Sequence, residues 1–131
     1  MNKPSILVVD DELLIRDLLY DFFVDQGWDI AVAENSQKAI SYLEDNPVDL
    51  VLTDIKMPEM DGMELTQYIK EHHPEMPVVI MTGYPSVETA VSALRIKAAD
   101  YIVKPFNINQ LYKTIKNEIE RQKKESAAKD S

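Results

Sequence analysis

Cysteine is absent from this chain of 131 residues. Disulfides, zinc–thiolate sites and thiol catalysis are therefore excluded, and a reducing compartment suits the sequence. Only three glycines occur. None forms a glycine-rich phosphate loop, which disfavours nucleotide binding of that kind. No apolar run is long enough to cross a bilayer, and the polar start does not resemble a signal peptide. We expect a soluble cytoplasmic protein without membrane contact.

Positive charge is also scarce. Lysine and arginine number 14 against 23 aspartates and glutamates, which gives a formal net charge of −9. This balance opposes direct nucleic-acid binding, because that affinity comes largely from neutralising phosphates with Lys and Arg. Gathered acidic groups also favour a bound cation, although solubility is the simpler explanation of the charge alone.

Five short apolar runs alternate along the chain with longer segments of helical period. The first, third and fourth runs are almost entirely apolar, which is typical of strands buried on both faces of a parallel sheet. The predicted strands are Ile6–Val9, Asp29–Ala33, Val48–Thr53, Val78–Met81 and Tyr101–Val103.

The intervening segments carry apolar residues every three to four positions, which predicts amphipathic helices. The first begins after Asp11, and the others are Asn35–Glu44, Gly62–His72, Ser86–Lys97 and Ile108–Gln122. Ser36, Ser86 and Asn107 lie near helix starts and are predicted to cap them. The repeated alternation predicts an α/β fold, a doubly wound five-stranded parallel sheet with helices on both faces. We assign residues 1–122 to one domain and residues 123–131 to a charged polar tail or linker.

Polar residues capable of chemistry follow four of the five strands. In an open parallel sheet, functional sites lie outside the carboxyl ends of the strands, so these residues are expected at one edge. Each also has an ordinary explanation, as a helix cap, a turn residue or a solvated lysine. Four such coincidences at one edge favour a single site. The residues are Asp10, Asp11 and Glu12 after the first strand, Asp54 after the third, Thr82 after the fourth and Lys104 after the fifth.

These side chains together suit phosphoryl transfer. Converging carboxylates repel one another by several kcal/mol per close pair, and a hard divalent cation such as Mg²⁺ relieves that repulsion through oxygen ligands. Lys104 adds a positive charge and Thr82 a hydroxyl donor, which a transferring phosphoryl group requires. Asp54 lies between the acidic run and the other two groups, and is the expected carboxylate nucleophile.

Four motifs in order now resemble a known family. They are ILVVDDE, DLVLTDIKMPEMDG, MTG and DYIVKPF, and the likeness runs from about Ser5 to the last helix. The chain resembles the receiver domains of bacterial two-component response regulators. The resemblance implies the flavodoxin-like, CheY-like fold with strand order 2-1-3-4-5.

By position, the resemblance implies that Asp54 accepts a phosphoryl group from a histidine kinase or a phosphotransfer protein. Asp11 and Asp54 would ligate Mg²⁺, with Asp10 assisting and the Lys56 backbone carbonyl completing the protein ligands. It also implies a signalling phosphoacceptor domain rather than an enzyme, one that promotes its own phosphorylation and dephosphorylation with Mg²⁺.

The resemblance further implies a conformational switch. Lys104 would pair with the phosphoryl oxygens. The peptide bond between Lys104 and Pro105 is expected to be cis. Thr82 would move to the phosphoryl group, and Tyr101 would swing inward after it. The output surface is expected on the fourth helix, fifth strand and fifth helix, where a homodimer would also form.

Some positions depart from the common receiver pattern. No glycine ends the fourth helix, where the text reads Arg95-Ile96-Lys97-Ala98-Ala99. A left-handed residue there would cost roughly 1 kcal/mol without glycine. The end of the fourth helix can therefore differ in shape from that of receivers with glycine at this point. Lys56 and Tyr84 occupy sites that vary in the family and affect the lifetime of the phosphoryl group.

Two other functions compete with that of a receiver. A phosphohydrolase of the haloacid dehalogenase type would need Asp-x-Asp after its first strand, whereas Asp10 and Asp11 are adjacent. A flavin protein of the same fold would place its phosphate against acidic strand ends. Within the receiver hypothesis, a stand-alone domain and the N-terminal part of a longer regulator both stay open. TGYPSVETAVSAL is similar to receivers of nitrogen-regulator-type transcription activators, which favours the longer regulator slightly.

Overall fold

A parallel sheet lies at the centre of the computed structural model, which describes residues 3–129. Numbered along the chain, its strands lie in the order 2-1-3-4-5, and every neighbouring pair is parallel. This confirms the predicted fold class and strand order. The strands are β1 Ser5–Val9, β2 Asp29–Ala33, β3 Leu50–Asp54, β4 Val78–Thr82 and β5 Asp100–Val103.

Helices cover both faces of the sheet and bury two separate apolar clusters. One cluster lies under the first and fifth helices and contains Phe23, Trp28 and Ile115. The other lies under the second, third and fourth helices and contains Leu43, Ile69 and Ala93. The helices are α1 Leu13–Asp25, α2 Ser36–Asp45, α3 Gly62–His72, α4 Val87–Arg95 and α5 Ile108–Lys129.

Two strands end one residue later than their apolar runs. Asp54 pairs in register with Met81, and Thr82 pairs with Val103, so both polar residues still belong to the ladder. Backbone pairing therefore fixes the position of each of these two side chains directly.

The last helix is longer than its apolar period predicts. Its final buried residue is Ile119, yet α5 continues past Gln122 to Lys129. Polar contacts with Glu75 replace apolar burial there, since Gln122, Ser126 and Lys129 all bond its carboxylate. The predicted tail therefore begins as helix, and residues 130 and 131 lie outside the described residues. The proposed boundary at residue 122 stays a prediction.

The fourth helix ends without glycine but keeps a left-handed residue. Lys97 has φ of 60°, and the Ala98 N–H donates to the Ala93 carbonyl at 3.0 Å. The helix end thus has the left-handed shape that a glycine would give it. Lysine takes the conformation that glycine adopts at lower cost.

The helix caps are partly as predicted. The Ser86 hydroxyl accepts the Thr89 N–H at 3.0 Å, and the Asn107 side chain accepts the Asn109 N–H at 3.0 Å. The prediction for Ser36 was wrong, because Asn35 caps α2 and the buried Ser36 hydroxyl donates to the Met60 carbonyl. Among residues 3–129, none of the helices has the length and apolar character needed to cross a membrane.

Candidate phosphoryl-transfer site

Asp54 is the last residue of β3 and is buried at the carboxyl edge of the sheet. Its Oδ1 accepts the Ile55 N–H at 2.9 Å. Burial, followed by the charge of Asp10, raises the pKa of Asp54 to about 6, although Lys104 opposes the rise. At neutral pH the Asp54 carboxyl is thus mostly ionised, and its surroundings favour a positively charged group or cation that offsets the negative charge.

Asp10 directly follows β1 and is fully buried. Its Oδ2 accepts from the Lys104 Nζ at 2.7 Å, and its Oδ1 accepts the Glu12 N–H at 2.8 Å. Burial raises the pKa of this carboxyl, even though both hydrogen bonds favour its ionised form. Asp10 therefore serves the site rather than capping α1, whose N-cap residue is Glu12 and has no side-chain cap.

Lys104 reaches three carboxylates from the end of β5. Its Nζ lies 2.7 Å from Asp10, 3.4 Å from Glu12 and 3.5 Å from Asp54. Burial alone would lower the pKa of Lys104, but the bond to Asp10 and the acidic charges outweigh it and raise the pKa. The Lys104 N–H also donates to the Thr82 carbonyl at 2.8 Å. The Lys104–Pro105 bond is cis, which confirms that expectation.

The acidic cluster differs in one member from the set implied by the family resemblance. Carboxylate oxygens of Asp10, Glu12 and Asp54 all lie within 4.8 Å of one another. Asp11 is exposed instead, and lines an adjacent open cavity of about 590 Å³ together with Lys56 and Asp61. The sequence showed Glu12 in the acidic run after β1, but spacing alone gave it no role as a ligand.

Thr82 and Tyr101 lie on neighbouring strands beside this cluster. Thr82 is buried, and its hydroxyl accepts the Tyr84 N–H at 3.0 Å. The Tyr84 ring in turn faces the Lys56 ammonium, 4.1 Å from the ring centroid. The Tyr101 hydroxyl lies 2.6 Å from the Thr89 hydroxyl. Each of these groups therefore has a partner other than Asp54.

Gly62 is a site-forming residue that the sequence reasoning missed. A Cβ at this position would lie 1.9 Å from the Asp54 carbonyl oxygen and 2.9 Å from the Ile55 Cα. The Gly62 N–H also donates to the Ile55 carbonyl at 2.8 Å. Only glycine permits this approach, so the start of α3 fixes the backbone that carries Asp54. The Asp-Gly pair ahead of a helix was the available signal.

A parallel sheet of this order, with buried aspartates and a lysine at its carboxyl edge, defines the receiver class of α/β signalling domains. The family model described as "Response regulator receiver domain" matches residues 6–116. This chain therefore belongs to the response regulator receiver domain family, as its motifs predicted. It is a receiver domain of two-component signalling.

Two curated relatives are much longer than this chain. The regulatory protein AtoC of Escherichia coli K12 is 44% identical over 106 residues, which cover 81% of this chain and 23% of AtoC. A putative NtrX-like response regulator of Rickettsia felis is 40% identical over 122 residues, which cover 92% of this chain and 26% of the relative. The chain thus spans about a quarter of the length of these curated relatives.

Solved structures share the fold closely. A CheY-like receiver domain protein from Methanospirillum hungatei JF-1 has a TM-score of 0.91 and 33% identity, covering 95% of this chain and 99% of that one. NtrX from Brucella abortus, crystallised with ADP, has a TM-score of 0.92 and 37% identity, covering 98% of this chain and 30% of NtrX.

Proposed function

We propose that Asp54 accepts a phosphoryl group and that the domain responds by changing its α4-β5-α5 surface. The observation that carries this proposal is a buried carboxylate at the end of β3, 3.5 Å from the Lys104 ammonium. A carboxylate oxygen of Asp54 attacks phosphorus, the bond from phosphorus to the donor breaks, and the donor leaves with that electron pair. Lys104 offsets charge on the phosphoryl oxygens.

The acidic cluster supports a place for Mg²⁺. The cluster offers only carboxylate oxygens as ligands. Burial raises the pKa of both Asp10 and Asp54, and the charge of a neighbouring carboxylate adds to the rise, Glu12 for Asp10 and Asp10 for Asp54. A hard divalent cation takes oxygen ligands and removes that repulsion. Asp11 and Asp54 would hold the ion, with Asp10 assisting and the Lys56 backbone carbonyl completing the protein ligands. Glu12 lies outside this ligand set, because its side chain is 61% exposed and its carboxylate is paired with Lys104 at 3.4 Å. When bound, the cation would neutralise charge on the transferring group.

The proposed donor is a histidine kinase or phosphotransfer protein of the cytoplasm. The proposed role is that of a signalling phosphoacceptor, not of an enzyme turning over a free substrate. The switch would begin at Thr82, whose hydroxyl gives up the Tyr84 N–H in favour of the phosphoryl group. Moving from mostly off to mostly on takes about 5 kcal/mol, which two or three charge-assisted hydrogen bonds supply.

Acetyl phosphate with Mg²⁺ tests the proposed acceptor by intact-mass measurement. We expect one phosphoryl group on the wild-type chain and none on Asp54→Asn. The matched control is Asp21→Asn, which changes an exposed aspartate of α1 and is expected to label normally. Equal labelling of Asp54→Asn and wild type would overturn the assignment. Omitting Mg²⁺ should abolish labelling, because the proposed cation neutralises charge on the transferring group, and undiminished labelling without it would contradict the cation site.

The proposed output surface carries exposed apolar side chains. Val87 and Leu94, seven residues apart on α4, are 82% and 77% exposed, and Val103 of β5 is also exposed. Residues seven apart lie on one face of a helix, so Val87 and Leu94 form an apolar strip on α4 that a second copy would cover. We propose a homodimer through this α4-β5-α5 surface, within a longer regulator like the relatives above.

Sedimentation of the chain with and without a phosphoryl mimic tests the dimer. We expect the phosphorylated form to associate more tightly and Leu94→Glu to abolish association. Leu14→Glu is the control, because Leu14 is equally exposed but lies on α1. A monomer under both conditions, or equal loss in the two variants, would contradict the proposed surface.

A further inference from the structure

Tyr101 is connected to the first turn of α4 by a side-chain hydrogen bond. Its hydroxyl lies 2.6 Å from the hydroxyl of Thr89, and both residues are partly buried. In register, Tyr101 pairs with Ile80, two residues before Thr82. Since residues two apart on a strand share a face, the Tyr101 ring and Thr82 lie on the same side of the sheet.

The hydroxyl of Thr89 also belongs to the cap of α4. It lies 3.3 Å from the Ser86 N–H, which it accepts, and 3.2 Å from the Ser86 carbonyl, to which it donates. A threonine hydroxyl has one proton and two lone pairs. The Ser86 hydroxyl also lies 3.0 Å from the Thr89 hydroxyl. The Tyr101 hydroxyl, at 2.6 Å, is the nearest of these partners, and either hydroxyl of the Thr89–Tyr101 pair can donate the proton.

We propose that Thr89 is the positioning residue that fixes the Tyr101 side chain and ties its movement to the first turn of α4. This inference rests on the proposed function, because it concerns how the change at Thr82 reaches the output surface. Tyr101 cannot leave its place without either losing the bond to Thr89 or taking the N-terminal turn of α4 along. The bond therefore transmits a side-chain rotation to a helix end.

Two substitutions at residue 89 separate the hydroxyl from the bulk of the side chain. Thr89→Val keeps the shape and removes the bond, whereas Thr89→Ser keeps the hydroxyl. Tyr101→Phe removes the same bond from the other side and leaves the Ser86–Thr89 cap intact. Agreement between Thr89→Val and Tyr101→Phe would thus identify the shared bond, not the cap, as the cause.

The first measurement needs no phosphorylation. Scalar couplings report the χ1 populations of Tyr101 by NMR in wild type, Thr89→Val and Thr89→Ser. One neutral hydrogen bond corresponds to about a fivefold change in such a ratio. We expect a redistribution of about that size in Thr89→Val and wild-type populations in Thr89→Ser. Identical populations in all three proteins would overturn the proposal.

A double-mutant cycle gives a second readout. The unfolding constants of wild type, Thr89→Val, Tyr101→Phe and the double variant should show a coupling of about fivefold between the two sites. Independent effects of the two substitutions would show that the side chains are not joined.

The third measurement follows amide shifts on adding acetyl phosphate and Mg²⁺, with labelling checked by mass. In wild type and Thr89→Ser, amides 86–90 should shift together with Tyr101. In Thr89→Val, Tyr101 should respond while the shifts of amides 86–90 fall at least twofold. An undiminished response of those amides in labelled Thr89→Val would overturn the coupling. Absence of labelling in every protein would count against the proposed function alone, because the first two measurements stand without it.

Discussion

At the scale of single residues, the fold opposes ionisation of Asp54. Its pKa rises from the ordinary 3.8 to about 6 through burial and the nearby Asp10. Well below pH 3.8 the carboxyl is protonated whether the chain is folded or not. As pH rises from 4 to 6, the unfolded chain ionises first and the folded state loses stability, and the loss persists above that window.

Asp54→Asn is therefore expected to stabilise the domain at neutral pH. A shift of about two pKa units corresponds to roughly 3 kcal/mol, so we expect a gain of about 2 kcal/mol at pH 7 with EDTA present. The gain should shrink towards zero as the pH falls from 6 to 4. Urea unfolding of both proteins across this range measures it. If the difference in unfolding free energy between wild type and Asp54→Asn did not depend on pH, burial of a charged carboxylate would not be its cause. The control Asp21→Asn should show no such pH-dependent gain.

Site residues that directly follow a predicted strand could be predicted from the sequence. Asp54, Thr82 and Lys104 follow recognisable apolar runs, so topology alone assigns them to one edge. The presence of Glu12 in the cluster in place of Asp11 was not predictable. Both Asp11 and Glu12 are exposed. Which of these two adjacent carboxylates comes within reach of Asp10 and Asp54 depends on the backbone of the β1–α1 turn and on Lys104, which lies 92 positions from Glu12 in the sequence.

At the scale of elements, the close packing of α3 against the end of β3 leads to a second prediction. Gly62→Ala would place a methyl group against the backbone at Asp54, where no side chain can move aside. We expect a loss of about 3 kcal/mol in unfolding free energy, together with impaired labelling of Asp54.

Gly83→Ala is the matched control for this prediction. A Cβ on Gly83 would meet no atom within 4 Å. Its urea midpoint should stay near that of wild type, while the midpoint of Gly62→Ala falls. Equal midpoints for the two variants would show that α3 yields to the added methyl group.

The end of α4 leads to a third prediction, in which a substitution raises the free energy of unfolding instead of lowering it. Lys97 holds a φ of 60°, a conformation that costs a lysine about 1 kcal/mol more than it costs glycine. Lys97→Gly is therefore expected to raise stability by about 0.5 to 1 kcal/mol. Lys116→Gly, at an exposed helical position inside α5, should lower it by about 1 kcal/mol. Thermal unfolding compares the stability of the two variants with that of wild type. Lower stability in both variants would contradict backbone strain at Lys97.

Elements were more predictable than their ends. Apolar patterning indicated all ten segments, because each helix buries one face against the sheet and the inner strands are buried on both faces. The end of α5 could not be found in the same way. After Ile119 its contacts are polar, and their partner Glu75 lies 47 to 54 positions away in sequence.

At the scale of the whole molecule, one carboxylate fastens the last turns of α5 to the opposite edge of the sheet from the site. Gln122, Ser126 and Lys129 bond Glu75 at 2.8, 3.2 and 3.3 Å. The bond from Lys129 is the main reason that the pKa of Glu75 lies below its ordinary 4.5. This stabilisation is present above pH 4.5 and is lost as the pH falls through the lowered pKa.

Glu75→Ala is expected to loosen this part of α5 without unfolding the domain. Hydrogen exchange should accelerate for amides after residue 122 and stay unchanged for amides 108–119, which buried apolar residues hold. Glu71→Ala, an exposed neighbour at the end of α3, is the control and should leave both segments as in wild type. Uniform protection along α5 in Glu75→Ala would show that the helix needs no fastening.

Because α5 is unbroken from Ile108 to Lys129, its angular phase is fixed along its whole length. Each residue of an α-helix turns the chain by about 100° and advances it by about 1.5 Å. Deleting Glu120 would rotate Gln122, Ser126 and Lys129 away from Glu75, whereas inserting four residues there would nearly restore their azimuth one turn further along. The direction in which this end of the helix faces is thus set by residue count as much as by residue type.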